Sequence, residues 1–286
     1  LNPLLLDKHL AQTTPFPVGL DVSHAIGSWI YTHDGKKYLD MISGLSVMNM
    51  GHGSEKVKTA VMDQMQKHSH VMVYGEYSQS APEKLAKLLT DNLPNNLDSC
   101  YFVNSGTEAN EAAIKLCRRS TGRSEIIAFK GSYHGGTTGS LAISSNENKK
   151  FHVRPLMPEV SFIELNKFED LQKITEKTSG VFLETIQGDA GIRIPSLEFI
   201  IALRKRCSEV GALLVLDEIQ AGMGRTGKLF AFEHYGITPD ILCLGKAFGA
   251  GLPIGAMISS REQMEKFTIN PMLGHITTFG GNPVIC

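Results

Sequence analysis

Ala212-Leu213-Leu214-Val215-Leu216-Asp217-Glu218 is the stretch on which the fold turns. An apolar run reaches two adjacent carboxylates without interruption. A strand with one wet face alternates apolar and polar residues, whereas an unbroken run calls for cover on both faces, as in a parallel sheet between layers of helices. Similar short apolar segments recur at Cys100–Asn104, Glu125–Phe129, Val160–Ile163, Gly180–Glu184, Asp240–Leu244 and Ile254–Ser259. Helical stretches separate many of them, notably Glu108–Ser120 and Leu197–Val210. The alternation predicts an α/β fold: a mainly parallel seven-stranded sheet with helices on both faces.

Outward from that region the pattern changes. Near the N-terminus, Trp29-Ile30-Tyr31 and Tyr38-Leu39-Asp40 flank the turn signal His33-Asp34-Gly35-Lys36, which predicts a hairpin. Ser54 is a candidate cap for a helix with Val57, Val61 and Met65 on one face, and a second helix after Pro82 turns Leu85, Leu88 and Leu89 inward. There is no internal repeat and no low-complexity tract.

Composition removes whole classes of function. With 28 basic and 29 acidic residues the net charge is −1, so the basic excess of a nucleic-acid binder is missing. No apolar run approaches the ~20 residues needed to span a bilayer. Leu1–Lys8 lacks the layout of a secretion signal. The five cysteines are scattered and form no CxxC pair, which disfavours a disulfide framework or a zinc site and points to a reducing compartment, the cytoplasm. No metal is expected. The chain opens without Met and stops at Pro283-Val284-Ile285-Cys286, so it is expected to be a piece of a longer protein.

In such sheets ligands sit at the carboxyl ends of the strands, and four of those ends carry chemistry. Asn104-Ser105-Gly106-Thr107-Glu108-Ala109-Asn110 offers hydroxyls, a glycine and a helix start, which suits a phosphate and equally an ordinary cap. Gly131-Ser132-Tyr133-His134-Gly135-Gly136 carries two rings able to stack on a flat ligand, or simply a surface turn. Asp217, at the end of its apolar run, needs a cation or donors to offset burial, or it binds Mg²⁺. Lys246, between Leu242-Cys243-Leu244-Gly245 and Ala247-Phe248-Gly249-Ala250-Gly251, is either a desolvated nucleophile or a lysine that snorkels to water.

Gly222-Met223-Gly224-Arg225-Thr226-Gly227 matches the dinucleotide pattern GxGxxG, but Lys228-Leu229-Phe230-Ala231-Phe232 does not clearly open a helix. The same stretch nearly matches a P-loop, except that Leu229 stands where Ser or Thr belongs. The segment is read as a loop, and a nucleotide-binding protein using Gly222–Lys228 is kept as a distant alternative.

A phosphate seat, a stacking ring, a buried Asp and a nucleophilic lysine together suit pyridoxal phosphate. Their order resembles the class III (omega) aminotransferases of the fold-type-I pyridoxal-phosphate enzymes, among them acetylornithine, ornithine and 4-aminobutyrate aminotransferases. The matching stretches are Ser105–Asn110, Tyr133-His134-Gly135, Glu184-Thr185-Ile186-Gln187-Gly188-Asp189-Ala190-Gly191, Asp217-Glu218-Ile219-Gln220, Gly222–Gly227, Gly245-Lys246 and Thr277-Thr278-Phe279-Gly280-Gly281-Asn282-Pro283. The resemblance implies residues 1–50 as a segment of a small domain, 51–286 as the large cofactor-binding domain, and the remainder of the small domain absent from this chain.

It also implies roles. Lys246 would hold the cofactor aldehyde as a Schiff base and then carry the proton, and Asp217 would pair with the pyridine nitrogen. Gln220 would bond the phenolic oxygen, while Tyr133, and less readily His134, would stack on the ring. Ser105, Gly106 and Thr107 would bind the phosphate, together with Thr278 from a second copy, so a homodimer with shared sites is expected. The implied reaction is ping-pong transfer of an amino group from an amine or amino acid to a 2-oxo acid. A racemase or aminomutase on the same fold is the alternative.

The sequence departs from those relatives in two places. Gly136 stands where they generally carry an Arg that clamps a substrate carboxylate. Asp189 stands where they usually carry Glu. The resemblance also implies a further C-terminal region, carrying another Arg, beyond Cys286.

Overall fold

The apolar runs assemble into one seven-stranded sheet. The computed structural model describes residues 9–73 and 75–286; Leu1–Lys8, read above for a secretion signal, lie outside the described residues. Val22–Ile26 (β1), Trp29–Thr32 (β2) and Lys37–Leu39 (β3) form a small antiparallel sheet in that order. The large sheet comprises Ser99–Val103 (β4), Glu125–Phe129 (β5), Val160–Ile163 (β6), Thr178–Glu184 (β7), Leu213–Asp217 (β8), Ile241–Leu244 (β9) and Gly255–Ser259 (β10), ordered β4-β10-β9-β8-β7-β5-β6. Strand β10 runs antiparallel to both β4 and β9, and the remaining pairings are parallel. The C-terminal ends of β4, β5, β7, β8 and β9 therefore meet along one edge.

Side chains of successive strand residues enter opposite cores, as the two-residue pleat requires. Val181, Leu183, Leu214 and Leu216 pack with Phe199 and Leu203 of the helix Leu197–Val210. Phe182 and Val215 pack on the other face with Ala109, Ala112, Ala113 and Leu116 of the helix Gly106–Thr121. Its alanines let that helix lie close: a Cβ on Gly180 of β7 would come within 2.6 Å of Cys117 Sγ.

Some local expectations need correction. The hairpin forms, but β1 joins it as a third strand that the periodicity did not reveal. The helix Glu55–Lys67 starts after Ser54, yet the Ser54 side chain makes no cap hydrogen bond. Leu88 of the helix Ser80–Thr90 is 63% exposed rather than inward, and Met65 is exposed too; Leu85 and Leu89 do face the core. An interval of three or four residues defines a helix stripe, and Leu88 lies at its edge.

Candidate active site

Strands β8 and β9 pair in parallel with Asp217 opposite Cys243. Asp217 thus closes one strand, while Lys246 follows the neighbouring strand by two residues. Glu184, the last residue of β7, stands opposite Asp217 on the other side. Two carboxylates and an amine are gathered because adjacent parallel strands end together.

Asp217 is buried, and donors meet both of its oxygens. Asn110 Nδ2 donates to Oδ2 at 2.8 Å, His134 Nδ1 lies 2.7 Å from the same oxygen, and the Ile219 backbone N–H donates to Oδ1 at 3.0 Å. An ionised carboxylate accepts only, so against that form Nδ1 of His134 is the donor. Asn110 Nδ2 also donates to the His134 carbonyl at 2.8 Å, which locks the three residues together. Asn110 Oδ1 and His134 Nε2 are buried without a hydrogen-bond partner among the described residues. His134 therefore lies against Asp217, a contact its position in the sequence did not suggest. Asn110 had no assigned role. Its signal was a lone amide on the otherwise apolar buried face of a helix.

Lys246 is half-buried, and its Nζ donates to Gln220 Oε1 at 3.2 Å. Its backbone sits at φ 48°, in the left-handed region uncommon for residues other than glycine. The turn after β9 is held by close packing of three loops. A Cβ on Gly245 would meet Gly106 Cα and Ile219 Cγ2 at 3.2 Å, and one on Gly106 would meet Ile219 Cδ1 at 2.7 Å. Gly188 lies just as close to Gln220, leaving 2.4 Å between its would-be Cβ and Oε1.

The loop after β4 opens the helix Gly106–Thr121. Ser105 Oγ accepts from the Glu108 N–H at 3.3 Å, so its side chain is an ordinary helix cap. Thr107 Oγ1 shares hydrogen bonds with Ser140 Oγ at 2.6 Å and Thr137 Oγ1 at 2.8 Å. The first N–H groups of the helix have no acceptor within it, and they carry the positive end of its dipole. Tyr133, on the loop after β5, is exposed at the mouth and anchored by its N–H to Glu184 Oε1 at 2.8 Å. Burial, reinforced by the nearby Asp217 charge, pushes the Glu184 carboxyl up. Thr278 is exposed, whereas Thr277 accepts from Asn104 Nδ2 at 2.9 Å.

Asp217, Lys246, Gln220 and His134 are thus linked by hydrogen bonds or strand register at one sheet edge, with Gly106 packed beside them. Gly222–Gly227 forms turns followed by the short 3-10 helix Ala231–His234, without the α-helix a dinucleotide or P-loop motif would open.

The whole chain finds relatives. Residues 11–286 match the family model of class-III aminotransferases. An acetylornithine aminotransferase of Methanopyrus kandleri is 40% identical over 286 residues, covering 99% of this chain and 71% of that protein. A [LysW]-aminoadipate semialdehyde/glutamate semialdehyde transaminase of Sulfurisphaera tokodaii is 40% identical over 267 residues, covering 93% and 67%. Among solved structures, the ornithine aminotransferase of Toxoplasma gondii, with PLP in partial occupancy at its active site, superposes with TM-score 0.90 at 26% identity, covering 98% of this chain and 67% of that one. These matches agree with the resemblance carried by the motifs, and the chain belongs to the class III aminotransferases, enzymes that transfer amino groups with pyridoxal phosphate.

Proposed function

We propose that this aminotransferase runs a ping-pong cycle between an amine or amino acid and a 2-oxo acid, with Lys246 as its covalent anchor and proton carrier and Asp217 as partner of the cofactor's ring nitrogen. One observation carries the reading: buried Asp217 ends one strand and half-buried Lys246 follows its parallel neighbour by two residues, the two strands in register through Asp217 and Cys243. The residues fit the cofactor in kind. A desolvated carboxylate held by several donors suits a cationic ring nitrogen, the start of the helix Gly106–Thr121 suits a phosphate, and glycines at 106, 188 and 245 leave no room for side chains.

Pyridoxal phosphate, when bound, supplies an aldehyde that captures the amine and a ring that draws off the electron pair left by a departing proton. Lys246 would hold that aldehyde through its amine and would carry the proton. Gln220 accepts from Lys246 Nζ at 3.2 Å and would hydrogen-bond the phenolic oxygen of the cofactor. His134 and Asn110 keep Asp217 oriented, so His134 acts behind the carboxylate as a positioning residue. Tyr133 would stack on the cofactor ring. Gly106 and Thr107 bind the phosphate, with Ser105 shaping the turn.

Thr278 reaches the phosphate of a second copy, which makes the active form a homodimer. Its exposure supports this, as do Met272, Leu273, Ile276 and Phe279, apolar residues of the same segment left at the surface. Residues 1–50 belong with a small domain, and 51–286 form the cofactor-binding domain. The five cysteines, none bonded to another, suit the cytoplasm.

Reconstitution with pyridoxal phosphate tests the assignment. A visible absorption band is expected, together with borohydride-fixed cofactor on the Lys246 peptide and bleaching by amines that reverses with pyruvate or 2-oxoglutarate. Label on another lysine overturns it.

A further inference from the structure

Lys149 and Lys150 are neighbours with opposite surroundings. Lys150 is buried: its Nζ contacts Glu147 Oε1 at 3.1 Å and the Ala142 carbonyl at 3.4 Å, and it lies 4.5 Å from the centroid of the Phe162 ring. That anchor fixes the segment and turns Lys149 the other way. Lys149 Nζ lies 4.8 Å from the centroid of the Tyr133 ring, on a face that attracts a cation. Its nearest carboxylate is Asp189 Oδ2 at 3.8 Å, too long for a hydrogen bond. Both side chains of this pair are more than half exposed (52% and 58%), so separating them costs at most about 1 kcal/mol.

We propose that Lys149 is a substrate-binding residue: it receives a carboxylate of the amino donor or of the 2-oxo acid over the edge of Tyr133, and Asp189 competes with that carboxylate for the ammonium. The proposal rests on the reading of Tyr133 as part of the cofactor site. Tyr133 is tied by its backbone to Glu184, whose strand ends opposite Asp217, so a cation held on the Tyr133 ring stands at the rim of the reacting centre. Three residues after Tyr133 the loop is open: a Cβ on Gly136 would meet no atom within 4 Å. Other cations of this rim are engaged elsewhere. Arg193 Nη1 donates to the Lys130 carbonyl at 3.1 Å, and Lys130 Nζ pairs with Glu164 at 2.7 Å.

The arrangement has a consequence for choice of substrate. An exposed ammonium already facing one carboxylate gains little from a weak anion, but a substrate that brings its own carboxylate to the ring displaces Asp189 outright. Uncharged amines bind without using Lys149. The pair thus ranks substrates by charge without the rigid two-pronged geometry of an arginine.

Calorimetric titration with glutarate, an unreactive dicarboxylate, tests this, with glutaramide as the uncharged probe of equal length. Lys149→Met keeps the alkyl stem on the ring and removes the charge. We expect it to lower the preference for glutarate over glutaramide roughly tenfold, the loss of one hydrogen bond to a charged group. Lys149→Arg should keep that preference within about threefold, and Asp189→Asn should raise it about threefold, the scale of an exposed ion pair. An unchanged preference in Lys149→Met overturns the proposal, as does a fall in Asp189→Asn. The titrations are run with and without pyridoxal phosphate. Absence of a visible band then counts against the cofactor reading, while the ranking of the two probes decides the role of Lys149.

Discussion

His134 Nδ1 lies 2.7 Å from Asp217 Oδ2, and both side chains are buried. Asn110 supplies a second donor to the same oxygen and the Ile219 N–H meets the other, so the carboxylate is held at both of its oxygens. Removing His134 should cost less than removing the carboxylate itself. His134→Phe is expected to lower kcat/KM by roughly 10- to 100-fold, the weight of one hydrogen bond to a charged group. Asp217→Ala should lower it by several orders of magnitude, since the ring would lose its electron-accepting power. Steady-state kinetics with circular dichroism as the fold control checks both. Near-full activity in Asp217→Ala would refute the assigned geometry.

Lys246→Ala should abolish turnover and leave the fold intact. The lysine is half-buried and its side chain makes one hydrogen bond, to Gln220. Alanine meets the same positive φ as lysine, so backbone strain is unchanged. The melting temperature measured without cofactor should move by no more than a few degrees.

Gly255→Ala should harm the site from a distance. The added Cβ would come within 2.3 Å of the Ser105 carbonyl oxygen, a backbone atom in the turn that opens the helix Gly106–Thr121. Relief requires moving either β10 or that turn. A destabilisation of about 1–3 kcal/mol is expected, with weaker binding of pyridoxal phosphate, readable by urea unfolding and by cofactor titration.

Glu218 makes stability depend on pH. Burial raises its carboxyl from 4.5 to about 7, although Ala231 N–H, Phe232 N–H and the Thr185 hydroxyl all donate to it. Between those two values the folded chain keeps a proton that the unfolded chain has released. Its contribution is therefore complete below the ordinary carboxyl pKa and is lost as pH rises through about 7. The slope is at most about 1.4 kcal/mol per pH unit. Glu218→Gln should flatten it, while lowering stability throughout because an amide nitrogen would face backbone donors. Urea midpoints at pH 5.5 and 8 in both proteins decide the matter.

Thr278→Ala should weaken cofactor affinity moderately if sites are shared between copies. Mixing it with Lys246→Ala then yields dimers carrying one wholly intact site. Recovered activity in the mixture is the expected result, and none would speak against sharing.

The local sequence carried much of this. Uninterrupted apolar runs such as Leu213–Leu216 announce a doubly covered strand whatever surrounds them, because burial on both faces disfavours polar residues in mid-strand. Lys246 and Asp217 stood out for the same reason: each is a charge placed where an apolar strand stops. The short motifs around them sufficed to indicate the family.

Contacts between segments distant in sequence were settled by tertiary structure alone. His134 and Asp217 are 83 residues apart, and Asn110 and Asp217 107. No periodicity within a strand or helix encodes which loop will lie over which. The same holds for Lys149 over Tyr133, and for Ile219 wedged against Gly106 and Gly245. Residue pattern specifies what each segment must bury, since that depends on its own side chains; strand order and packing distance decide which buried groups then meet.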